Sequence, residues 1–158
     1  MNKIAIFPGS FDPITLGHYD IVIRSLNLFD KIIIAIGNNT EKTNMFSLKR
    51  RKEWVQKTFF KFVNIEIELF TGLVISFCIK KRVSFILRGI RNQLDFEFEK
   101  NIYYSNKQLN KQLEDKFIIE TVFMLSSYGK SYINSCIVRD IIKNGGDYTT
   151  FVPSSVRI

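Results

Sequence analysis

The strongest constraint on this chain is an alternation. Short apolar runs of strand length take turns with stretches whose apolar residues fall at helical spacing. Lys3 to Phe7 is a short apolar run stopped by Pro8-Gly9, as expected of a strand buried on both faces. From His18 to Phe29, Ile21, Val22, Leu26 and Phe29 mark one side of a helix. Lys31 to Ile36 is a second buried strand. Ser47 is placed to cap a helix running to about Phe60, with Leu48, Val55 and Phe59 on one face. Asn64 to Phe70 alternates Ile65, Ile67 and Leu69 with Glu66 and Glu68, a strand wet on one side. A helical stretch from Leu73 to Lys81, a strand from Val83 to Leu87 and a long helix from about Leu94 to Leu113 follow. Leu94, Phe98, Ile102 and Leu109 mark the buried stripe expected of that helix. Phe117 to Leu125 is a fifth strand, and Ile133, Ile137 and Ile141 stripe a last long helix that Gly145-Gly146 stops.

Strict alternation implies a parallel sheet with helices on both faces. Such sheets bind ligands beyond the carboxyl ends of their strands, near the point where strand order reverses. The loops after each strand are therefore where chemistry is expected, and three of them carry charged or phosphate-binding residue types.

Composition narrows the classes. At 158 residues with 46% hydrophobic content, the chain is expected to form one folded domain over residues 1–158. No segment approaches the roughly 20 continuous apolar residues of a membrane span, and Ile4 to Phe7 is too short for a signal-peptide core. A cytoplasmic location is expected. Cys78 and Cys136 lie far apart without CxxC spacing, and the single histidine, His18, excludes a zinc site built on several His ligands. The formal charge of +8 suits nucleic acid or polyanionic metabolites. The basic residues are scattered, with Lys49-Arg50-Arg51-Lys52 the only run of four, which argues against a nucleic-acid patch.

The first loop reads Gly9-Ser10-Phe11-Asp12-Pro13-Ile14-Thr15-Leu16-Gly17-His18. A glycine directly after a strand lets the backbone turn tightly against a ligand. The helix that follows offers unpaired N–H groups and its positive dipole end to a phosphate. This is not GxGxxG, and no acidic residue about 20 positions on marks a ribose site, so the nicotinamide-cofactor reading is weak. Taken alone, Gly17-His18 is more often a turn glycine beside a polar residue at a helix start.

The whole segment, GxFDPxTxGH, resembles the signature of the nucleotidyltransferase superfamily, which includes cytidylyltransferases, nucleotide-cofactor adenylyltransferases and class I aminoacyl-tRNA synthetases. Over essentially its full length the chain is similar to the phosphopantetheine adenylyltransferase family. Glu41-Lys42-Thr43-Asn44-Met45-Phe46, Arg88-Gly89-Ile90-Arg91 with Asp95-Phe96-Glu97-Phe98-Glu99, Ser131-Tyr132-Ile133-Asn134-Ser135-Cys136, and Gly145-Gly146-Asp147 with Phe151-Val152-Pro153 carry that similarity in order. Its pattern has Thr at position 10, serines at 134 and 136 and an aromatic residue at 130; this chain has Ser10, Asn134, Cys136 and Lys130, with a few extra residues before Glu120.

The resemblance implies an α/β, Rossmann-like doubly wound five-stranded sheet and transfer of AMP from ATP to 4′-phosphopantetheine, with Mg2+ held through ATP phosphates. It implies a homo-oligomer, a hexamer; the scattered basic residues and the lack of a long apolar run predict that the chain binds neither nucleic acid nor membrane. Its catalytic residues map onto His18, Ser10 and Lys42, with His18 and the Ser10 hydroxyl donating to the α-phosphate. Acceptor contacts map onto Ser10, Lys42, Val74, Arg88 and Asn106. ATP contacts map onto Ser10, Phe11, His18, Gly89, Ile90, Arg91 and Glu99, and onto Lys130, Ser131, Tyr132, Ile133, Asn134, Ser135 and Cys136. The alternatives are an adenylyltransferase for nicotinamide mononucleotide, a non-catalytic nucleic-acid binder, and a Ser10–His18 hydrolase, which would lack the GxSxG elbow.

Overall fold

The computed structural model describes residues 2–38, 43–112 and 117–158. Five strands, β1 (Ile4–Gly9), β2 (Lys31–Gly37), β3 (Ile65–Phe70), β4 (Phe85–Ile90) and β5 (Glu120–Leu125), form one parallel sheet in the order β3-β2-β1-β4-β5. Between them run α1 (Leu16–Ser25), α2 (Leu48–Phe59), α3 (Val74–Lys81) and α4 (Gln93–Gln112); α5 (Ser135–Lys143) follows β5. The chain winds outward from β1 to β3, then crosses back to place β4 on the other side of β1. The carboxyl ends of β1 and β4 thus diverge at the switch point and leave a crevice there.

Strand pleat divides the core into two layers. Ala5, Phe7, Ile32, Ile34 and Ile36 pack toward Ile21 and Val22 of α1 and toward Trp54, Val55 and Phe59 of α2. Ile6, Ile33, Ala35 and Ile86 point the other way, onto Ile75, Phe77 and Cys78 of α3. Burial of each large aliphatic side chain contributes about 1.5–3 kcal/mol. The edge strand β3 follows its alternation only at its start: Ile65 is buried and Glu66 half-buried, but Leu69 is 40% exposed while the Glu68 side chain is 20% exposed.

Three further expectations need correction. Only the second half of the expected α4 stripe turns inward: Leu94 is 81% and Phe98 64% exposed, Ile102 is half-buried and Leu109 packs on the α3 layer, while Glu99 is the helix's buried residue. The face turned to the sheet is chosen by an ion pair between Glu99 and Arg88 on β4, which apolar periodicity cannot register. The last helix is short, nine residues beginning at Ser135; Val138 is its buried residue and Ile137 is exposed. Finally, β4 runs two to three residues later than its apolar core suggests, so Arg88 and Gly89 belong to the strand rather than to the loop after it. The run at 49–52 also conceals a difference: Arg51 is 2% exposed.

Candidate active site

The β1–α1 loop is tied down from several directions. Thr15 caps α1: its hydroxyl accepts from the His18 backbone N–H at 3.4 Å. His18 answers with its ring, Nδ1 accepting from the Thr15 N–H at 3.0 Å. This is a capping box with histidine in the position usually held by Glu or Gln. Because Nδ1 is the acceptor, the neutral ring carries its proton on Nε2. Burial, reinforced by the Arg91 and Arg88 charges, pushes the imidazole down to about 4. At neutral pH His18 is therefore an uncharged Nε2–H donor.

Asp12 is 3% exposed, and its carboxylate accepts the N–H groups of Met45 at 2.8 Å and Phe46 at 2.9 Å. Its carbonyl accepts from Arg139 of α5 at 2.7 Å. The loops after β1 and β2 and the last helix are joined through this one residue. Phe11 is 1% exposed, so it can offer a ligand only its backbone.

At the end of β4, Arg88 donates Nε to Glu99 at 2.8 Å, bonds the other Glu99 oxygen through Nη2, and donates Nη1 to the Pro8 carbonyl at 2.9 Å. Among the described residues these bonds engage three of the five guanidinium N–H donors and leave two. Arg91 makes a bidentate pair with Asp95, at 2.7 and 2.9 Å. Burial acts against the ionised Asp95, yet the Arg91 hydrogen bonds hold its carboxyl below the ordinary value.

Two clefts meet at Arg88 and Glu99. The larger, about 360 Å3, lies at the switch point and is bordered by Ser10, His18, Gly89, Arg91, Ile133 and Asn134. The smaller, about 280 Å3, is bordered by Val74, Ile102, Tyr103, Asn106 and Thr121. Pro8, Arg88 and Glu99 line both. The helix starts of α1 and α5 close one side of the larger cleft. A Cβ on Gly17 would stand 3.0 Å from the Ile133 carbonyl, so a larger residue would have to push that backbone back. Ser135 donates its hydroxyl to the Pro13 carbonyl at 2.9 Å, and Asn134 caps α5 by accepting the Ile137 N–H at 3.0 Å.

The structure thus gathers Ser10, His18, Arg88, Gly89, Arg91, Glu99, Ile133 and Asn134 around one cleft and Val74 and Asn106 around its neighbour. It does not bring the other expected residues into the lining. Ile90 is buried, and Lys130, Ser131, Tyr132, Ser135 and Cys136 stand outside it. Lys42 lies outside the described residues. Sequence reasoning missed Thr15, Asp12, Asp95 and Arg51. Thr15 three residues before His18 and Arg91 four before Asp95 are helix-spacing signals that could have found two of them. His18 bonds Thr15 rather than Ser10, which leaves the hydrolase reading without its nucleophile–base contact.

A doubly wound sheet with a His-bearing helix start and arginines at its switch point defines a nucleotidyltransferase. The cytidylyltransferase-like family model matches residues 6–141. A solved structure described as a candidate nicotinate-nucleotide adenylyltransferase from Vibrio parahaemolyticus shares the fold, with a TM-score of 0.64 and 20% identity over 98% of this chain and 96% of that one. Phosphopantetheine adenylyltransferases from Flavobacterium psychrophilum and Cytophaga hutchinsonii are 53% and 47% identical, over 98% and 99% of this chain and 97% and 100% of theirs. The chain belongs to the phosphopantetheine adenylyltransferase family.

Proposed function

We propose that this chain transfers AMP from MgATP to 4′-phosphopantetheine, releasing pyrophosphate and dephospho-coenzyme A. The observation that carries the assignment of roles is the pair of clefts meeting at Arg88, with an uncharged His18 donor bordering the larger one. The larger cleft takes the nucleotide and the smaller takes the pantetheine arm, so the acceptor phosphate arrives at their junction.

An oxygen of that phosphate forms the new bond to the α-phosphorus while the bond from the α-phosphorus to the bridging oxygen of the β-phosphate breaks. No protein nucleophile is required; positioning and charge stabilisation supply the catalysis. The His18 Nε2–H and the Ser10 hydroxyl donate to the non-bridging α-oxygens as they gain charge. The two free N–H groups of Arg88, with Lys42, hold the acceptor phosphate against repulsion from ATP. Arg91 holds the leaving pyrophosphate, joined by the Ser135 and Cys136 N–H groups that the Asn134 cap leaves open, just beyond the cleft edge at Ile133 and Asn134.

Among the described residues no group of three His, Cys, Asp or Glu side chains could hold a metal. Asp95 and Glu99, the carboxylates in the cleft, are each committed to an arginine. The described residues therefore offer no metal cage, and we take Mg2+ to enter as part of the MgATP substrate, on phosphate oxygens and water.

The exposed Leu94 and Phe98 of α4, with Leu125 at 68% exposure on β5, support a homo-oligomer, which we take to be a hexamer. No described helix is long and apolar enough to cross a membrane, and a cytoplasmic location fits the proposed substrates. The deciding experiment offers purified protein ATP with a panel of acceptors and measures pyrophosphate. Release with 4′-phosphopantetheine and little with nicotinamide mononucleotide is expected. Equal release with both, or none with either, overturns the acceptor assignment.

A further inference from the structure

The charge of the buried Asp12 acts on Arg51, a 2% exposed cation near the start of α2. Among the described residues no carboxylate lies within ion-pair distance of it. Instead its guanidinium donates to three backbone carbonyls: Nη1 to Ser10 at 2.5 Å and to Gly37 at 3.3 Å, and Nε to Phe46 at 3.2 Å. Those carbonyls belong to the first turn after β1, the end of β2 and the segment leading into α2. A desolvated cation is costly, and one side chain that gathers three loops is a device for geometry rather than for stability.

The Ser10 contact has a directional consequence. A trans peptide sets its C=O and the following N–H on opposite sides of one plane. With the Ser10 carbonyl held by Arg51, the N–H of Phe11 must point the other way, away from Arg51. Gly9 and Ser10 border the nucleotide cleft. Phe11 also holds a left-handed backbone, φ 48°, which is unfavourable for a bulky L-residue and persists only when its surroundings impose it. Its buried ring, 5.0 Å from the His18 ring, and the Arg51 hold on the preceding carbonyl are those surroundings.

We propose that Arg51 is a positioning residue for adenylyl transfer: it aims the Phe11 amide at the nucleotide phosphates and holds Ser10 in register with His18. Arg51 touches no substrate. Lysine cannot replace it, because a single ammonium on a flexible stem cannot span three carbonyls in a fixed plane.

The proposal rests on the nucleotide assignment of the larger cleft but not on the identity of the acceptor, so its main readout is ATP binding. Full-length Arg51→Lys and Arg51→Met are compared with Val55→Ala, a core substitution one turn along α2 that leaves the three carbonyl contacts alone. Each is studied at least 20 °C below its own melting temperature, by ATP titration and by the Phe11 amide resonance. In the wild-type protein that resonance should move strongly when ATP is added. In both Arg51 variants the movement should be largely lost, ATP affinity should fall roughly tenfold or more, and kcat should fall at least as far. Val55→Ala should stay within about twofold on every count. A Phe11 amide that responds normally in either Arg51 variant overturns the proposal, as does an equal loss in Val55→Ala. Failure of both Arg51 variants to fold also overturns it, since Arg51 would then serve the fold alone.

Discussion

Glu99 on α4 and Arg88 on β4 form a bidentate ion pair at the junction of the two clefts, with the carboxylate side chain 8% and the guanidinium 26% exposed. The pair fixes the plane of the guanidinium and leaves its two remaining N–H groups for a ligand. In this geometry Glu99 acts on Arg88 first.

Substituting the two partners should therefore give different signatures. Glu99→Gln keeps one hydrogen bond and removes the charge, so the acceptor KM should rise about tenfold while kcat changes little. Arg88→Ala strands a buried carboxylate, which costs up to about 3 kcal/mol, so acceptor affinity and melting temperature should fall together. Isothermal titration with 4′-phosphopantetheine and thermal melts separate the two. Unchanged acceptor affinity in both variants would remove the pair from the acceptor site.

His18 is the chain's one histidine, which makes its titration directly visible by nuclear magnetic resonance. In the ligand-free protein the ring should stay neutral, protonated on Nε2, from pH 8 down to below pH 5, since its folded value lies near 4. The unfolded chain takes up the proton first, near 6.5. The contribution of this residue to stability is thus complete above about pH 6.5 and is lost as pH falls from there toward 4. A ring that titrates at 6.5 in the folded protein would contradict the buried donor geometry.

Removing that donor should act on the transition state. His18→Ala should lower kcat by roughly 10²–10³ while ATP affinity changes little, because the contact strengthens as charge develops on the α-phosphate. Lost helix capping accompanies the substitution and should cost about 1 kcal/mol. Steady-state kinetics with an ATP titration distinguish the two effects. Retained turnover would make His18 a capping residue only.

Alternation of apolar runs was enough to read all five strands and the parallel sheet, because each strand buries both faces or one. It failed on the first half of α4, where Glu99 turns inward to Arg88 and Leu94 and Phe98 are left outside. Ser10, His18, Arg88 and Arg91 were legible because they stand at or just beyond strand ends and their order resembled a known family. Arg51 was not, since nothing in four consecutive basic residues says which one turns inward. That choice is made by where the carbonyls of Ser10, Gly37 and Phe46 converge in three dimensions.

The start of α5 offers a test of whether backbone or side chains hold the pyrophosphate. Ser135 is the first helical residue and Asn134 its cap, at φ −149° and ψ 160°, the extended backbone that a following proline requires. Proline is well tolerated at a first helical position, so Ser135→Pro should leave α5 intact while deleting one N–H donor. It also deletes the hydroxyl bond to the Pro13 carbonyl, and Ser135→Ala measures that loss by itself. Cys136 is exposed and close to serine in size. Cys136→Ser and Ser135→Ala should each change ATP affinity by less than about tenfold, the equivalent of 1.4 kcal/mol. Ser135→Pro should weaken it well beyond Ser135→Ala, with an unchanged circular dichroism spectrum. The opposite ranking, a large effect of Cys136→Ser beside a mild one of Ser135→Pro, would assign phosphate binding to side chains and remove the first-turn N–H groups from the site.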